Sequence, residues 1–171
     1  AGACGVLHAK PVQLGEVEHS FLPGDKPVAP GVLVDGLVPA MQSLEPTLVI
    51  APFGLANPDH EVTHRACMLA RDLLPETISW WCYEDNGYKH IPGMLAWRVA
   101  KLFASDLWPT PMVVPNVADV DSKRAAIECY KSQLAPLNRD HALGERIGSA
   151  VTEQHWNLAP PPPGWTRRRG R

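Results

Sequence analysis

The sequence of 171 residues has only four cysteines and no long hydrophobic run, and each absence excludes a class of protein. The cysteines are scattered without a Cys-x-x-Cys pair, so we expect reduced thiols rather than disulfides or a cysteine metal site. No stretch approaches the ~18 consecutive apolar residues of a membrane span. The first residues lack the basic and apolar regions of a secretory signal. We therefore expect a soluble cytoplasmic protein without a membrane span.

The chain also carries little excess charge, but its basic residues are unevenly distributed. The formal net charge is -2, from 16 basic and 18 acidic residues. Four arginines lie in the last five positions, which leaves 12 basic against 18 acidic residues elsewhere, a net charge near -6. Because contacts with phosphate dominate nucleic-acid affinity, a folded domain with this negative net charge is a poor general nucleic-acid binder. We predict one domain over residues 1–158 and a disordered Pro/Arg-rich tail over residues 159–171. That tail cannot bury enough apolar surface to offset the conformational entropy that it would lose on folding.

Strand-like and helical patterns alternate along the chain. A β-branched, apolar run predicts a buried parallel strand, and apolar residues at a spacing of 3.6 predict helices on both sides of it. The predicted strands cover 47–51, 77–83 and 111–115, the last at a sheet edge because of its prolines, with a further short strand over 15–21. The predicted helices cover 32–44, 61–74, 93–103, 121–134 and 143–152. This alternation predicts an α/β fold with a mostly parallel sheet.

The run from Ala51 to His60 is the most informative segment, because it joins a predicted strand to a predicted helix. It places Asp59 and His60 at the carboxyl end of a strand, where open α/β sheets position ligands and chemistry. Asn57 or Asp59 is predicted to cap the helix. His60 suits a zinc ion, and Asp59 suits the support of an imidazole or proton transfer. Glu84 and Asp85 follow the next strand and are expected at the same crevice. An ordinary helix cap beside a solvated histidine is the structural alternative.

Residues 60–64 also read His-Glu-x-x-His, the signature of zinc proteases. That interpretation requires His60 and His64 as ligands, Glu61 as general base and Glu84 as third ligand. Two features count against it. Glu84 follows a strand-like run, whereas this third ligand normally comes from a second helix, and the motif opens its helix instead of lying within it. A zinc metalloprotease therefore stays an alternative function.

Three segments carry motifs that occur together in one known family. They are Pro52–Leu55 followed by Asp59-His60, then Trp81–Asp85 with Tyr88, and a Lys-x-x-Ala-x-x-x-Tyr-x-Ser-Gln pattern over residues 123–133. In this order the chain resembles the PIG-L (LmbE-like) family of zinc-dependent N-acetylglucosaminyl deacetylases, from about residue 12 to residue 137. The resemblance implies a three-layer Rossmann-like fold and hydrolysis of the N-acyl group of an amino sugar, carried by a glycolipid, a thiol precursor or a glycopeptide antibiotic.

The resemblance also implies roles for individual residues. His60 is the expected zinc ligand, and Asp59 is expected to support a neighbouring histidine. Asn57 stands where the family has a histidine that stabilises the oxyanion, and its amide is expected to donate a hydrogen bond there. The expected sugar-binding residues are Glu84, Asp85 and Tyr88. The binding partner is then a small-molecule or glycoconjugate amino sugar, and no nucleic acid.

One departure from the family pattern is large. Its opening strand ends in a His-Pro-Asp-Asp-type signature that supplies two zinc ligands and the general base, and nothing similar occurs in this sequence. We therefore expect the chain to lack the first β-α-β unit and to have little or no activity by itself. A catalytically inactive member that binds sugars is the second alternative function.

Overall fold

A four-stranded sheet organises the protein. The computed structural model describes residues 2–24, 26–86, 88–113, 120–141 and 153–165. The strands are β1 (Leu48–Pro52), β2 (Ser79–Tyr83), β3 (Trp108–Met112) and β4 (His155–Ala159), in the order β1-β2-β4-β3. β1 and β2 are parallel, while β4 is antiparallel to both of its neighbours. Three strands therefore point in one direction, and the α/β fold with a mostly parallel sheet is confirmed, with β4 reversed.

Two helices precede β1 and the others separate the strands along the chain, largely as the sequence predicts. They are α1 (Gly2–Val6), α2 (Pro30–Leu44), α3 (Pro58–Arg71), α4 (Met94–Ala104), α5 (Val120–Glu128) and α6 (Lys131–His141). α2 packs on α3, which packs on β1. Within the described ranges, no helix has both the length and the apolar character needed to cross a bilayer.

The core lies on the face of the sheet that α3 covers. Side chains alternate along β2, where Trp80 and Cys82 are buried while Ser79 and Tyr83 are exposed. The buried cluster joins this face to α3, to α4 and to the loop after β1, through Ala51, Phe53, Leu55, Cys67, Ala70, Leu74, Trp80, Cys82, Leu102, Leu107 and Leu158. Phe53 meets Trp156 of β4 edge to face, with ring centroids 5.6 Å apart. The same packing therefore fixes the loop that follows β1.

Several predicted elements differ from the structure. Residues 15–21 form no strand; a 3₁₀ turn (His19–Phe21) takes its place, because backbone bonding at His19 goes to a side chain of α3 instead of to a neighbouring strand. The helix predicted over 121–134 is two helices, α5 and α6, and β3 begins three residues before the predicted strand. The helix predicted over 143–152 lies outside the described residues.

No strand was predicted at β4, which lies between β2 and β3. Its residues lie directly before the proline run. β3 is an edge strand as predicted. Trp165, beyond β4, returns to the edge strand and meets Trp108 with ring centroids 4.7 Å apart. The arginine-rich residues 166–171 lie outside the described residues.

Candidate metal and catalytic site

The loop after β1 is held rigidly before it reaches α3. Gly54 has a φ of +71°, in the left-handed region that favours glycine. A Cβ there would lie 2.8 Å from the Cβ of His64 and 2.9 Å from the carbonyl oxygen of His60. Arg98, a buried residue of α4, donates a hydrogen bond from Nη2 to the Gly54 carbonyl oxygen. Close packing and this bond therefore fix the backbone immediately before the helix.

Asn57 begins α3 and sets the direction of its first turn. Its Oδ1 accepts hydrogen bonds from the backbone N–H groups of Asp59, at 2.8 Å, and His60, at 3.3 Å. Pro58 occupies the first turn, where its missing N–H costs no helical hydrogen bond. The predicted cap is confirmed. Because Oδ1 serves the helix, the amide group of Asn57 points elsewhere and lies 3.4 Å from the Tyr88 hydroxyl.

His60 is paired with a buried carboxylate. Its Nδ1 lies 2.7 Å from Oδ1 of Asp85, whose side chain is 0% exposed, whereas the imidazole is 39% exposed. The other oxygen of Asp85 accepts a hydrogen bond from the backbone N–H of Leu55 at 2.9 Å. A carboxylate at Nδ1 favours the tautomer with its proton on that nitrogen, which leaves Nε2 with the lone pair. This is the arrangement in which histidines bind metals.

A second histidine–carboxylate pair lies next to the first. His19 Nδ1 lies 2.7 Å from Oδ2 of Asp59, and the His19 backbone N–H lies 3.3 and 3.2 Å from the two oxygens of the same carboxylate. Ligand atoms of Glu18, His19 and Asp59 all lie within 4.8 Å of one another, so these three residues could hold a metal ion. Asp59 thus contacts a histidine 40 residues earlier in the chain, which sequence reasoning missed.

The predicted site residues converge on two adjacent cavities. A cleft of about 550 Å³ is lined by Asn57, Asp59, His60 and Tyr88 together with residues of the N-terminal segment, including Glu18. A smaller cavity of about 400 Å³ is lined by His60, Glu84 and Asp85, with His155 at the start of β4. His60 borders both, and its ring meets that of Tyr88 edge to face at 5.7 Å.

Glu84 is held by side chains instead of pointing freely into solvent. Its Oε1 accepts a hydrogen bond from the indole N–H of Trp156 at 3.0 Å, and its Oε2 lies 3.6 Å from the Lys89 ammonium. Trp156 and His155 belong to β4, so neither was found from the sequence. The one available signal was the pair of aromatic side chains in a row before the proline run.

His64 lies on the same helix as His60 but does not line the same cavities. Its ring is buried, and its Nδ1 donates to the carbonyl oxygen of Pro52 at 2.9 Å. Burial lowers the pKa of His64, because a charged imidazole is poorly solvated there. It lines a separate cavity between α3 and α4. The protease interpretation is therefore not supported, because the His-Glu-x-x-His pair does not open onto a shared cavity.

Comparisons with known proteins relate the chain to deacetylases by structure. No protein-family model and no curated protein matches the sequence. A triple-mutant deacetylase of the teicoplanin biosynthetic pathway matches with a TM-score of 0.69 and 20% identity, over 94% of this chain and 68% of that chain. The zinc-inhibited form of teicoplanin deacetylase matches with a TM-score of 0.63 and 18% identity, over 94% of this chain and 71% of that one. At these identities the similarity establishes a common fold.

Proposed function

We propose that this protein is a zinc-dependent hydrolase that removes the N-acyl group of an amino sugar. The observation that carries the proposal is the contact between His60 Nδ1, in the first turn of α3, and the buried carboxylate of Asp85, which follows β2. The shared fold with two teicoplanin deacetylase structures supports the same reaction class. A glycopeptide antibiotic sugar, or another acylated amino sugar on a glycolipid or thiol precursor, is the proposed substrate.

The donor chemistry at His60 suits zinc. Zinc ligands in catalytic sites are imidazole nitrogens and carboxylate oxygens, and a ligating histidine almost always donates its other ring N–H to a carboxylate or carbonyl. Asp85 provides that carboxylate, and no lysine or arginine is among the described residues that line either cavity. His60 would therefore supply one of the three protein ligands that a catalytic zinc takes. A bound zinc supplies Lewis acidity and lowers the pKa of a coordinated water to about 7.

The side chains around His60 have distinct proposed roles. Asp59 is the carboxylate that supports a neighbouring histidine, since Nδ1 of His19 lies 2.7 Å from its Oδ2. Asn57 offers an amide N–H to the oxyanion that forms when the acyl carbonyl is attacked, since its Oδ1 is already used by the helix. Neither the helix cap nor the oxyanion contact requires Asn57 to carry a proton, which an amide cannot do.

Substrate contacts divide unequally among the three predicted sugar-binding residues. Tyr88 lines the larger cleft, so its hydroxyl is placed to bond sugar hydroxyls. Glu84 lines the smaller cavity, and its oxygens can accept further hydrogen bonds besides those to Trp156 and Lys89. Asp85 has both oxygens engaged, by His60 and by the Leu55 backbone, and is 1% exposed. We therefore assign Asp85 a positioning role through His60, in place of the direct sugar contact suggested by its motif.

Release of acetate from N-acetylglucosaminyl substrates in the presence of added zinc tests the proposal. Because the sequence lacks the His-Pro-Asp-Asp-type signature, we expect acetate release that is weak but above the protein-free rate. We expect loss of that release in His60→Ala and no change in His90→Ala, a matched substitution at an exposed loop histidine. Binding of the sugar without acetate release would instead indicate an inactive, sugar-binding relative. Acetate release that persists in His60→Ala would overturn the proposal.

A further inference from the structure

We propose that Glu18, His19 and Asp59 form a second binding site for a divalent transition-metal ion such as Zn²⁺, separate from the position at His60. This inference adds a metal site to the proposed enzyme, and it rests on a different set of donor atoms. The three side chains are far apart in the sequence, since Asp59 lies 40 residues after His19. The fold alone brings them together.

The geometry of the cluster suits an ion with short metal–ligand bonds. One ligand atom from each residue lies within 4.8 Å of the other two. Ions of this class bind imidazole nitrogen and carboxylate oxygen at about 2.0–2.2 Å, which places two donors on the same ion at most about 4.4 Å apart. The separations in the cluster are therefore close to those that a single ion requires. One imidazole and two carboxylates favour a transition metal over magnesium or calcium.

Two of the three donors are already held in place. The Asp59 carboxylate receives the backbone N–H and ring Nδ1 of His19, and the Asn57 cap fixes the turn of α3 that carries Asp59. His19 opens a 3₁₀ turn whose backbone bonds run to its own carbonyl and that of Glu18. A site with positioned donors loses less side-chain entropy when it binds an ion.

The charge around the cluster favours a cation. The large cleft is lined by three carboxylates, those of Glu16, Glu18 and Asp59, and its described lining includes no lysine or arginine. The alternative role for the cluster is a clamp that fastens the N-terminal segment to α3 through His19 and Asp59. Glu18 distinguishes the two roles, because its side chain makes no capping hydrogen bond at the turn, whereas the clamp runs between His19 and Asp59.

The proposed ion is distinct from the one at His60. His60 does not belong to the cluster of close ligand atoms among the described residues. The two sites therefore respond to different substitutions. Removing Glu18 or His19 is expected to lower the zinc affinity of the new site only, whereas removing His60 is expected to lower the zinc affinity of the position beside Asp85 only.

Zinc stoichiometry and affinity, measured by isothermal titration on the full chain, test this inference. We expect two zinc ions per chain for the unaltered protein and one each for His19→Ala and His60→Ala. Glu18→Gln keeps the clamp and should weaken one site by more than the roughly 10–100-fold typical of an outer-shell partner. Glu16→Gln, on the same cleft, is the matched control and should leave both affinities unchanged. Thermal melts confirm that the variants are folded.

Each outcome separates the two proposals. Zinc binding that survives in His60→Ala and disappears in the His60→Ala/Glu18→Gln double variant supports the second site, even if no acetate is released. A single zinc per chain, abolished by His60→Ala and unaffected by Glu18→Gln, would overturn the second site while leaving the proposed hydrolase intact. Loss of all zinc in both single-histidine variants would mean one shared ion, and would also overturn it.

Discussion

His60 and Asp85 form a contact of 2.7 Å between Nδ1 and Oδ1 that links the first turn of α3 to the residues following β2. The same carboxylate receives the backbone N–H of Leu55 at 2.9 Å, so one buried group joins the loop after β1, the helix and the end of β2. An ionised carboxylate is buried only when its oxygens are satisfied, and these two contacts provide that. The orientation of the His60 ring is therefore a property of the packed core.

Asp85→Asn is expected to weaken zinc binding at His60 by about 10–100-fold, the usual cost of losing an outer-shell carboxylate. The amide keeps the size of the side chain and one acceptor for the Leu55 N–H, so the fold should be retained. Isothermal titration with zinc measures the effect. Asp121→Asn, at a side chain that is 91% exposed, serves as the control. Equal zinc affinity in Asp85→Asn and the unaltered protein would contradict this role.

Substitutions of Asn57 should separate its capping role from its catalytic one. Asn57→Ala removes the acceptor for two N–H groups of α3 and should lower the free energy of unfolding by about 1 kcal/mol. Asn57→Asp keeps the cap but has no N–H to donate, so stability should be preserved while acetate release falls by about 10²–10³-fold. Urea denaturation and the acetate assay measure the two effects. Full activity in Asn57→Asp would refute the oxyanion role.

Gly54→Ala should destabilise the protein far more than the same change at another glycine with positive φ. At Gly54 the left-handed backbone costs about 1–2 kcal/mol for a non-glycine residue, and overpacking against His64 and the His60 carbonyl adds about 1–3 kcal/mol. Gly93, with a φ of +77° and no atom near the added Cβ, isolates the backbone contribution. Denaturant unfolding compares the two variants. Equal losses of stability would show that the contacts around Gly54 are unimportant.

The buried His64 should make stability depend on pH. Burial lowers the pKa of His64 below its ordinary value of about 6.5, so the unfolded chain binds more protons than the folded chain as the pH falls below that value. The contribution is fully present above pH 6.5 and is lost as the pH falls towards the folded-state pKa. Urea unfolding between pH 7.5 and 5 should show this decline, and His64→Gln should flatten it. His8→Gln, at an exposed residue, should not.

Local sequence patterns predicted the elements around the candidate site. The apolar run before Ala51 and the Asn-Pro-Asp turn specify β1, the cap and α3 through interactions between residues close in the chain. The position of His60 at the carboxyl end of a strand followed from the same patterns. The 3₁₀ turn at His19 was wrongly predicted as a strand, because its conformation depends on Asp59, 40 residues away.

The sequence by itself determined that a histidine opens a helix directly after a buried strand, because caps and periodicity act within a few residues. Only the tertiary structure decided which carboxylate faces each imidazole. Asp85 reaches His60 because β1 and β2 are parallel neighbours, and Asp59 reaches His19 because the N-terminal segment lies against α3. Contacts of this kind depend on the packing of distant segments, which no short-range pattern specifies.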